Sequence, residues 1–260
     1  SVTPGQTLQL AWEMKLDDHW HVYWSNPGDS GLQPILTPLA EGATLGPLQW
    51  PVPKVISIPP ITNYGYEDRA VLLADLTLPA TLPEGPFNLP LRLEYLYCKD
   101  VCLPGRVDVT LPLQVATTST PNPAFTEPAA WANANAPQPL EGISVSRDGT
   151  TTLLHLTNAP SMPAPVFIPA TEGWLDDGAP QPATTANGTL TLRLPPDAHS
   201  TDPLPDTLNG LLLTGTGQAY VVNHPITAAP PHASAPPSAS TALPVALVLA
   251  FLAGMLLNLM

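Results

Sequence analysis

Alternating apolar and polar residues recur along most of this chain, and the clearest runs lie on either side of its only two cysteines. Apolar side chains recur there at every second position, namely Leu91, Leu93, Tyr95 and Tyr97 before the cysteines and Val107, Val109, Leu111, Leu113 and Val115 after them. A period of two is typical of half-buried strands. We therefore predict two antiparallel strands whose connection carries Cys98 and Cys102.

Residues 1–116 are predicted to form a first β domain, because similar short runs occur before this pair of strands. These runs predict strands at 8–14, 19–24 and 71–78. Two segments between them have the composition of loops. One is the Asn-Pro-Gly-Asp-Ser-Gly run at 26–31, and the other is the polar and aromatic segment 62–69.

Residues 117–138 are rich in Thr, Pro, Ala and Asn and show no period, which predicts a linker with a short helix near 128–132. Alternation returns at 139–227, where we predict a second β domain that serves as a spacer or docking module. Its short strands are predicted at 143–145, 152–156, 166–168, 190–194, 211–213 and 220–222. The 36 prolines disfavour long helices. The predicted fold class is all-β, with two β-sandwich domains.

The last part of the chain changes character twice. Residues 228–241 are rich in Ala, Pro and Ser and predict a flexible linker. Residues 242–260 form an apolar run without a charge, which is about long enough to enter a hydrocarbon layer of roughly 30 Å as a helix. A buried core helix is the alternative, but the position of the run after a flexible linker favours the start of a transmembrane segment.

The charge balance narrows the choice of partners. Eight basic residues face 21 acidic ones, which gives a formal net charge of −13, and no cluster of Lys or Arg occurs. A chain of this kind does not bind nucleic acid through a basic surface. The balance suits an extracytoplasmic domain.

The spacing of the cysteines restricts what they can do. Residues four apart on a straight strand lie roughly 13 Å apart, whereas bridged cysteines need Cα atoms about 4.4–6.8 Å apart. A bond between Cys98 and Cys102 therefore requires a turn through 99–101, which Pro104 and Gly105 would keep from continuing as strand. So small a ring adds little stability. A structural disulfide, an exchanging disulfide and a pair of thiolates for a soft metal all remain open, and Lys99 and Asp100 act oppositely on thiolate formation.

Two other groups of residues are candidate sites. His19 and His21 would share a face of a strand and could hold a metal, but without a third ligand nearby an aromatic strand with two polar positions is the better interpretation. We predict no metal site. The segment 62–69 could form a simple turn whose tyrosines pack sideways, or it could shield a reactive cysteine pair.

Four motifs in this order carry a resemblance to a known family: Trp-His-Val-Tyr-Trp-Ser-Asn-Pro-Gly-Asp-Ser-Gly at 20–31, Trp-Pro-Val-Pro at 50–53, Tyr-Gly-Tyr-Glu at 64–67 and Tyr-Cys-Lys-Asp-Val-Cys-Leu-Pro-Gly at 97–105. Together they resemble the N-terminal periplasmic region of the DsbD/ScsB family of membrane thiol-disulfide interchange proteins. The second domain resembles the ScsB-like branch, which carries an extra β domain. The better-known DsbD members have a longer insertion between their cysteines than the three residues found here.

The resemblance implies immunoglobulin-like domains and a redox-active pair, Cys98 and Cys102, that needs no cofactor. The pair would take electrons from a thioredoxin-like domain of the same reductase system and reduce disulfides of periplasmic proteins. The chain would lie at the periplasmic face of the bacterial inner membrane, anchored by its C-terminal segment. The family's cap loop falls at Tyr64, Gly65, Tyr66 and Glu67, and Lys99, Asp100 and Pro104 lie beside the pair.

The resemblance leaves two other functions to weigh. One is a periplasmic Cu(I) or soft-metal module, because copper tolerance is associated with the ScsB-like branch. The absence of a Met-rich or His-rich tract argues against a dedicated metal carrier. The other is a structural docking module whose disulfide takes no part in chemistry.

Overall fold

The computed structural model of the chain describes residues 1–228. Their regular elements are β-strands, apart from one 3-10 turn and one short α-helix. The prediction of an all-β fold is confirmed at this level. Apart from Ala228, the predicted linker at 228–241 and the predicted membrane segment at 242–260 lie outside the described residues. Within residues 1–228, no helix is long and apolar enough to cross a membrane.

Nine strands make up the first half of the chain. They are β1 (Thr7–Lys15), β2 (His21–Gly28), β3 (Ile35–Pro38), β4 (Thr44–Leu45), β5 (Lys54–Ile58), β6 (Ile61–Glu67), β7 (Arg69–Thr77), β8 (Gly85–Cys98) and β9 (Cys102–Val115). One sheet has the order β3-β8-β2-β6-β5, with β9 also paired to β8, and a second sheet has the order β1-β7-β4. Apolar side chains of both sheets, such as Val22, Tyr64 and Leu89 from the first and Trp12 and Leu72 from the second, share one core.

The strand β2 differs from the sequence prediction at both ends. It begins at His21 rather than at residue 19, because His19 takes a positive φ of 70° at the end of a turn. It also continues through Gly28 into the segment predicted as a loop, with a register irregularity between Tyr23 and Gly28. Within this irregular part, Asn26 Oδ1 accepts a hydrogen bond from the Gly28 backbone N–H at 2.8 Å.

The prediction of a loop at 62–69 is also wrong, because residues up to Glu67 form β6. Its polar residues have partners on the segment that follows β2. The Thr62 N–H donates to Asp29 Oδ2 at 2.7 Å, and Asn63 Oδ1 accepts from the Ser30 N–H at 3.1 Å. Polar composition therefore indicated a loop where tertiary hydrogen bonds hold a buried strand.

The strands β8 and β9 form the predicted hairpin, and they pair along their whole length from Gly85↔Val115 to Cys98↔Cys102. The sequence prediction that Pro104 and Gly105 would end the strand is wrong, since both lie inside β9. The four prolines of the hairpin occupy alternate register positions: Pro86↔Gln114, Pro90↔Thr110, Leu96↔Pro104 and Asn88↔Pro112. Antiparallel pairs alternate between hydrogen-bonded and non-hydrogen-bonded, so positions of one kind tolerate residues without an N–H.

The predicted linker contains a 3-10 turn at Pro123–Phe125 and the helix α1 (Thr126–Ala134), in agreement with the helix predicted there. Arg69 holds this helix to the first half. Its guanidinium donates two hydrogen bonds to the Glu127 carboxylate, at 2.9 and 2.7 Å, and lies 5.2 Å from the centre of the Trp131 ring. Its Nη2 also lies 2.7 Å from Glu13 Oε1.

Seven strands make up the second half: β10 (Ile143–Asp148), β11 (Thr151–Thr157), β12 (Val166–Pro169), β13 (Ala183–Ala186), β14 (Thr189–Leu194), β15 (Thr207–Leu213) and β16 (Ala219–Ala228). Their order is β12-β15-β16-β10-β11-β14-β13. One face of these strands covers a second core that includes Leu154, Phe167, Leu192 and Leu212.

The two halves meet through apolar side chains on the other face of β12, β15 and β16. Ile168, Leu211 and Ala219 are buried in the core of the first half, whereas their neighbours Phe167 and Leu212 point into the second core. Residues 1–227 accordingly form one compact unit. The domain boundaries near 116 and 139 stay a prediction.

A hydrogen bond between carboxyl and hydroxyl groups also joins the halves. Tyr64 Oη donates to Asp177 Oδ1 at 2.9 Å. The pKa of Asp177 is raised to about 6, chiefly by burial and further by the carboxylates of Asp29, Asp176 and Glu172, while the bond from Tyr64 acts in the opposite direction. Near neutral pH the ionised Asp177 therefore disfavours the folded state.

As the pH falls from about 7 to about 4.5, we expect the free energy of unfolding of the unmodified protein to rise relative to that of Asp177→Asn. The folded pKa lies above the ordinary value of 3.8, so the folded state binds the proton more tightly between the two values, and acidification through about 6 relieves the penalty. Because the carboxyl group is partly exposed, the gain is on the order of 1 kcal/mol.

Urea unfolding of both proteins at several pH values measures the difference. Asp18→Asn, at an exposed turn position, serves as the matched control and should follow the unmodified protein. Parallel pH dependences for the unmodified protein and Asp177→Asn would contradict the prediction.

Candidate functional site

The two cysteines face each other at the end of the β8–β9 hairpin and are joined by a disulfide bond. Their Cα atoms are 4.1 Å apart. The turn that this bond requires is present: Lys99, Asp100 and Val101 form the connection, and the Lys99 N–H donates to the Val101 carbonyl at 3.2 Å. The sequence prediction that the chain turns between the cysteines is confirmed.

The two sulfur-bearing residues differ in their access to solvent. Cys98 is 2% exposed and lies next to β2, whereas Cys102 belongs to the exposed residues of β9. Cys102 is therefore the residue of the pair that is open to solvent, while Cys98 is buried. The two cysteines of the disulfide therefore differ in their access to solvent.

The side chain of Tyr23 contacts the disulfide. Its Oη donates to Cys98 Sγ at 2.9 Å and lies 3.7 Å from Cys102 Sγ. The tyrosine is 1% exposed, and burial raises the pKa of its hydroxyl, so the group remains a hydrogen-bond donor at neutral pH. A donor at this position also suits a Cys98 thiolate once the disulfide is opened, since hydrogen bonds to charged acceptors are stronger.

The ring of Tyr23 lies where Gly31 has no side chain. A Cβ at Gly31 would be 2.3 Å from Cε1 of Tyr23, and the glycine takes a φ of 112°. The Asn-Pro-Gly-Asp-Ser-Gly segment thus brings its last glycine against the ring that contacts the sulfurs. The composition of this segment predicts a turn and gives no indication of the role of Tyr23. The available signal was that Tyr23 shares a strand face with His21.

The predicted cap residues lie on β6, and the register separates them into two faces. Tyr66 pairs with Val22, which also pairs with Tyr97 on β8, whereas Glu67 and Cys98 are both opposite His21. Because side chains alternate between the faces of a sheet, Tyr66 lies on the core face and the disulfide lies on the other.

The tyrosine hydroxyls agree with this placement. Tyr64 bonds to Asp177, and Tyr66 donates to the Pro51 carbonyl at 2.8 Å, where complete burial raises its pKa. The shielding role predicted for these tyrosines stays a prediction, and Tyr23 is the tyrosine that the structure brings to the cysteines.

The remaining predicted site residues lie on β6, in the turn between the cysteines and on β9. Gly65 allows β2 and β6 to approach, since a Cβ there would be 2.1 Å from the Val22 carbonyl oxygen. Glu67 Oε2 accepts a hydrogen bond from Lys54 Nζ at 3.1 Å. Lys99 and Asp100 are exposed between the cysteines, and Pro104 lies opposite Leu96 in β9.

The two histidines weighed as metal ligands differ in position. His19 is exposed and precedes β2, whereas His21 is buried within it. Among residues 1–228, no group of three or more His, Cys, Asp or Glu side chains is arranged to hold a metal ion.

Comparison with known proteins adds to this geometry. Residues 1–114 match the family model described as thiol:disulfide interchange protein DsbD, N-terminal. The crystal structure of the N-terminal periplasmic domain of ScsB from Proteus mirabilis is similar, with a TM-score of 0.63 and 19% sequence identity over 86% of this chain and 90% of that one. No curated protein sequence matches this chain. Since the structural likeness covers far more than residues 1–114, it extends into the second half.

Proposed function

Because residues 1–114 belong to the family of DsbD N-terminal domains, we propose that this chain is a periplasmic thiol-disulfide reductase module. Its Cys98–Cys102 pair takes two electrons from a thioredoxin-like domain of the same reductase system and passes them to disulfides of periplasmic proteins. The observation that carries the proposal is the disulfide itself, which joins one exposed and one buried cysteine at the tip of a hairpin.

Exposure supports an order of events. In the oxidised module, a thiolate of the electron donor attacks Cys102 Sγ, the disulfide breaks, and the electron pair passes to Cys98 Sγ. A second donor thiol then displaces Cys102 and leaves the donor as a disulfide. In the reduced module, the Cys102 thiolate attacks a substrate disulfide, and Cys98 resolves the mixed disulfide by attacking Cys102 Sγ. Neither half-reaction requires a cofactor.

The surface around Cys102 supports a protein partner. Val101 and Leu103, its neighbours in sequence, are 61% and 40% exposed. Exposed apolar side chains close to one another are typical of protein contacts. The acidic chain offers few cations to a partner, so these apolar groups are the surface from which we expect contact energy.

The location is proposed from the relatives. The similar ScsB domain is described as periplasmic, and an oxidising compartment allows a disulfide to form and exchange. We place the module at the periplasmic face of the inner membrane, with residues 242–260 as its anchor.

The reduction potential of the Cys98–Cys102 pair tests the proposal. We expect a value of roughly −270 to −120 mV, between those of thioredoxin and of strongly oxidising catalysts, because an intermediate carrier must both accept and donate electrons. Equilibration of the full chain with glutathione buffers, followed by mass-tagging of free thiols, gives this value. A potential below about −300 mV with slow exchange would make the bond a structural one.

A further inference from the structure

A buried histidine lies between a carboxylate and the buried cysteine on three adjacent strands. In the sheet order β8-β2-β6, His21 of β2 is directly opposite Cys98 of β8 and directly opposite Glu67 of β6. Residues that are opposite each other in antiparallel strands share a face, and their Cβ atoms are about 4.5–5.5 Å apart. Cys98, His21 and Glu67 thus form one cross-strand row.

The histidine also contacts the tyrosine that reaches the sulfurs. The His21 and Tyr23 rings meet edge to face with their centres 5.3 Å apart, and Tyr23 Oη donates to Cys98 Sγ at 2.9 Å. His21 is only 4% exposed, and its Nε2 is buried without a hydrogen-bond partner in the described part of the chain. A buried polar atom left without a partner costs about 1–3 kcal/mol, and a catalytic role is one explanation for keeping such an atom.

We propose that His21 is the proton acceptor for Cys98 when the pair resolves a mixed disulfide, with Glu67 as the group that stabilises the protonated imidazole. This inference rests on the proposed function. The Cys98 thiol passes its proton to His21, and its sulfur attacks Cys102 Sγ. The bond between Cys102 and the substrate sulfur breaks, and the departing thiolate takes up a proton from solvent. His21 then releases its proton to solvent.

The charges around His21 suit this role. Burial lowers the pKa of His21, and the Glu67 carboxylate opposes that effect, so the imidazole is neutral and able to accept a proton at neutral pH. The ionisable groups that face it are Cys98 from β8, Glu67 from β6 and Tyr23 from its own strand. Glu67 in turn binds Lys54, which lies 3.1 Å away, and Asp68 shares that lysine at 3.2 Å.

The test measures the resolving step in the full chain with glutathione as the probe. Reduced protein is mixed with oxidised glutathione, and the rates of mixed-disulfide formation and of glutathione release are followed between pH 5 and 9. We expect His21→Gln to slow release near pH 7 by about tenfold or more, which corresponds to about one unit in the pKa of the attacking thiol. Formation at Cys102 should keep its rate, and release should recover at high pH.

Two variants complete the design. His19→Asn removes an exposed histidine two positions away and should leave both rates unchanged. Glu67→Gln should slow release in the same direction but less, and because the Glu67 side chain is 40% exposed, this variant keeps the test decisive if His21→Gln does not fold.

The outcomes separate the two hypotheses. If His21→Gln releases glutathione at the same rate and with the same pH profile as the unmodified protein, the role of His21 is overturned and the proposed function is not. If His21→Gln does not fold, the same result in a folded Glu67→Gln overturns that role. A lower unfolding midpoint with an unchanged pH profile would show a structural role and also overturn it. Failure of the unmodified protein to form or release a mixed disulfide would overturn the proposed function as well.

Discussion

Replacing Cys102 by serine is expected to reduce disulfide exchange with a thioredoxin-like protein by about a thousandfold or more, because the remaining sulfur is buried. Cys98 is 2% exposed and lies behind the hairpin tip, so an incoming disulfide does not reach it. Replacing Cys98 instead leaves the exposed thiol in place. Cys98→Ser should therefore form a mixed disulfide readily and then fail to resolve it, so that the complex accumulates.

Mass spectrometry of the trapped complexes, with a stopped assay for exchange, distinguishes the two variants. Thr110→Ser, at an exposed position of β9 eight residues beyond Cys102, is the control, since it preserves both sulfurs and the apolar residues beside them and should still turn over. Full exchange by Cys98→Ser would refute the redox assignment. Equal trapping through either cysteine would refute the order of attack that exposure indicates.

Gly31→Ala is expected to destabilise the oxidised protein by about 2–6 kcal/mol in total. A φ of 112° costs a residue with a side chain about 1–3 kcal/mol. The added Cβ would also lie 2.3 Å from the Tyr23 ring, and the resulting displacement in a packed site costs about 1–3 kcal/mol more. Because Tyr23 contacts both sulfurs, the variant should also change the rate at which glutathione reduces the pair.

Gly85→Ala provides the control for this prediction. Gly85 has a similar φ of 121°, but a Cβ at its position would meet nothing within 4 Å. It should therefore carry the backbone cost alone and leave the cysteine pair unaffected. Urea unfolding of the three oxidised proteins gives the comparison. Equal losses of stability in the two variants would show that the ring of Tyr23 moves aside freely.

The hairpin could be predicted because its information is local. Alternation on both sides of the cysteines and their separation of four residues are properties of one continuous segment, and β8 and β9 follow them. The segment at 62–69 could not be assigned in this way. Its Asn63 and Thr62 resemble loop residues, yet their hydrogen bonds go to Ser30 and Asp29, more than 30 positions away in the chain.

The site itself depends on register, which the sequence does not show. Tyr23 and His21 belong to an aromatic strand that sequence analysis located, but only the pairing of β2 with β8 places them beside Cys98. The contact between the two halves could be predicted in part from the sequence. Continuous apolar runs such as Leu211, Leu212 and Leu213 indicate strands buried on both faces, and Leu211 and Leu212 do point into different cores.

All four prolines of the hairpin lie at register positions of one kind, and this placement affects how readily the sheet edge associates with other chains. A long strand at a sheet edge is a template on which other chains can polymerise, and β9 exposes such an edge beside Cys102. Pro104 and Pro112 occupy positions of the same kind along it, where they remove donors without weakening the pairing to β8. Under the proposed function, proteins that exchange electrons at Cys102 would meet an incomplete backbone ladder beside it, which opposes their lasting addition to the sheet.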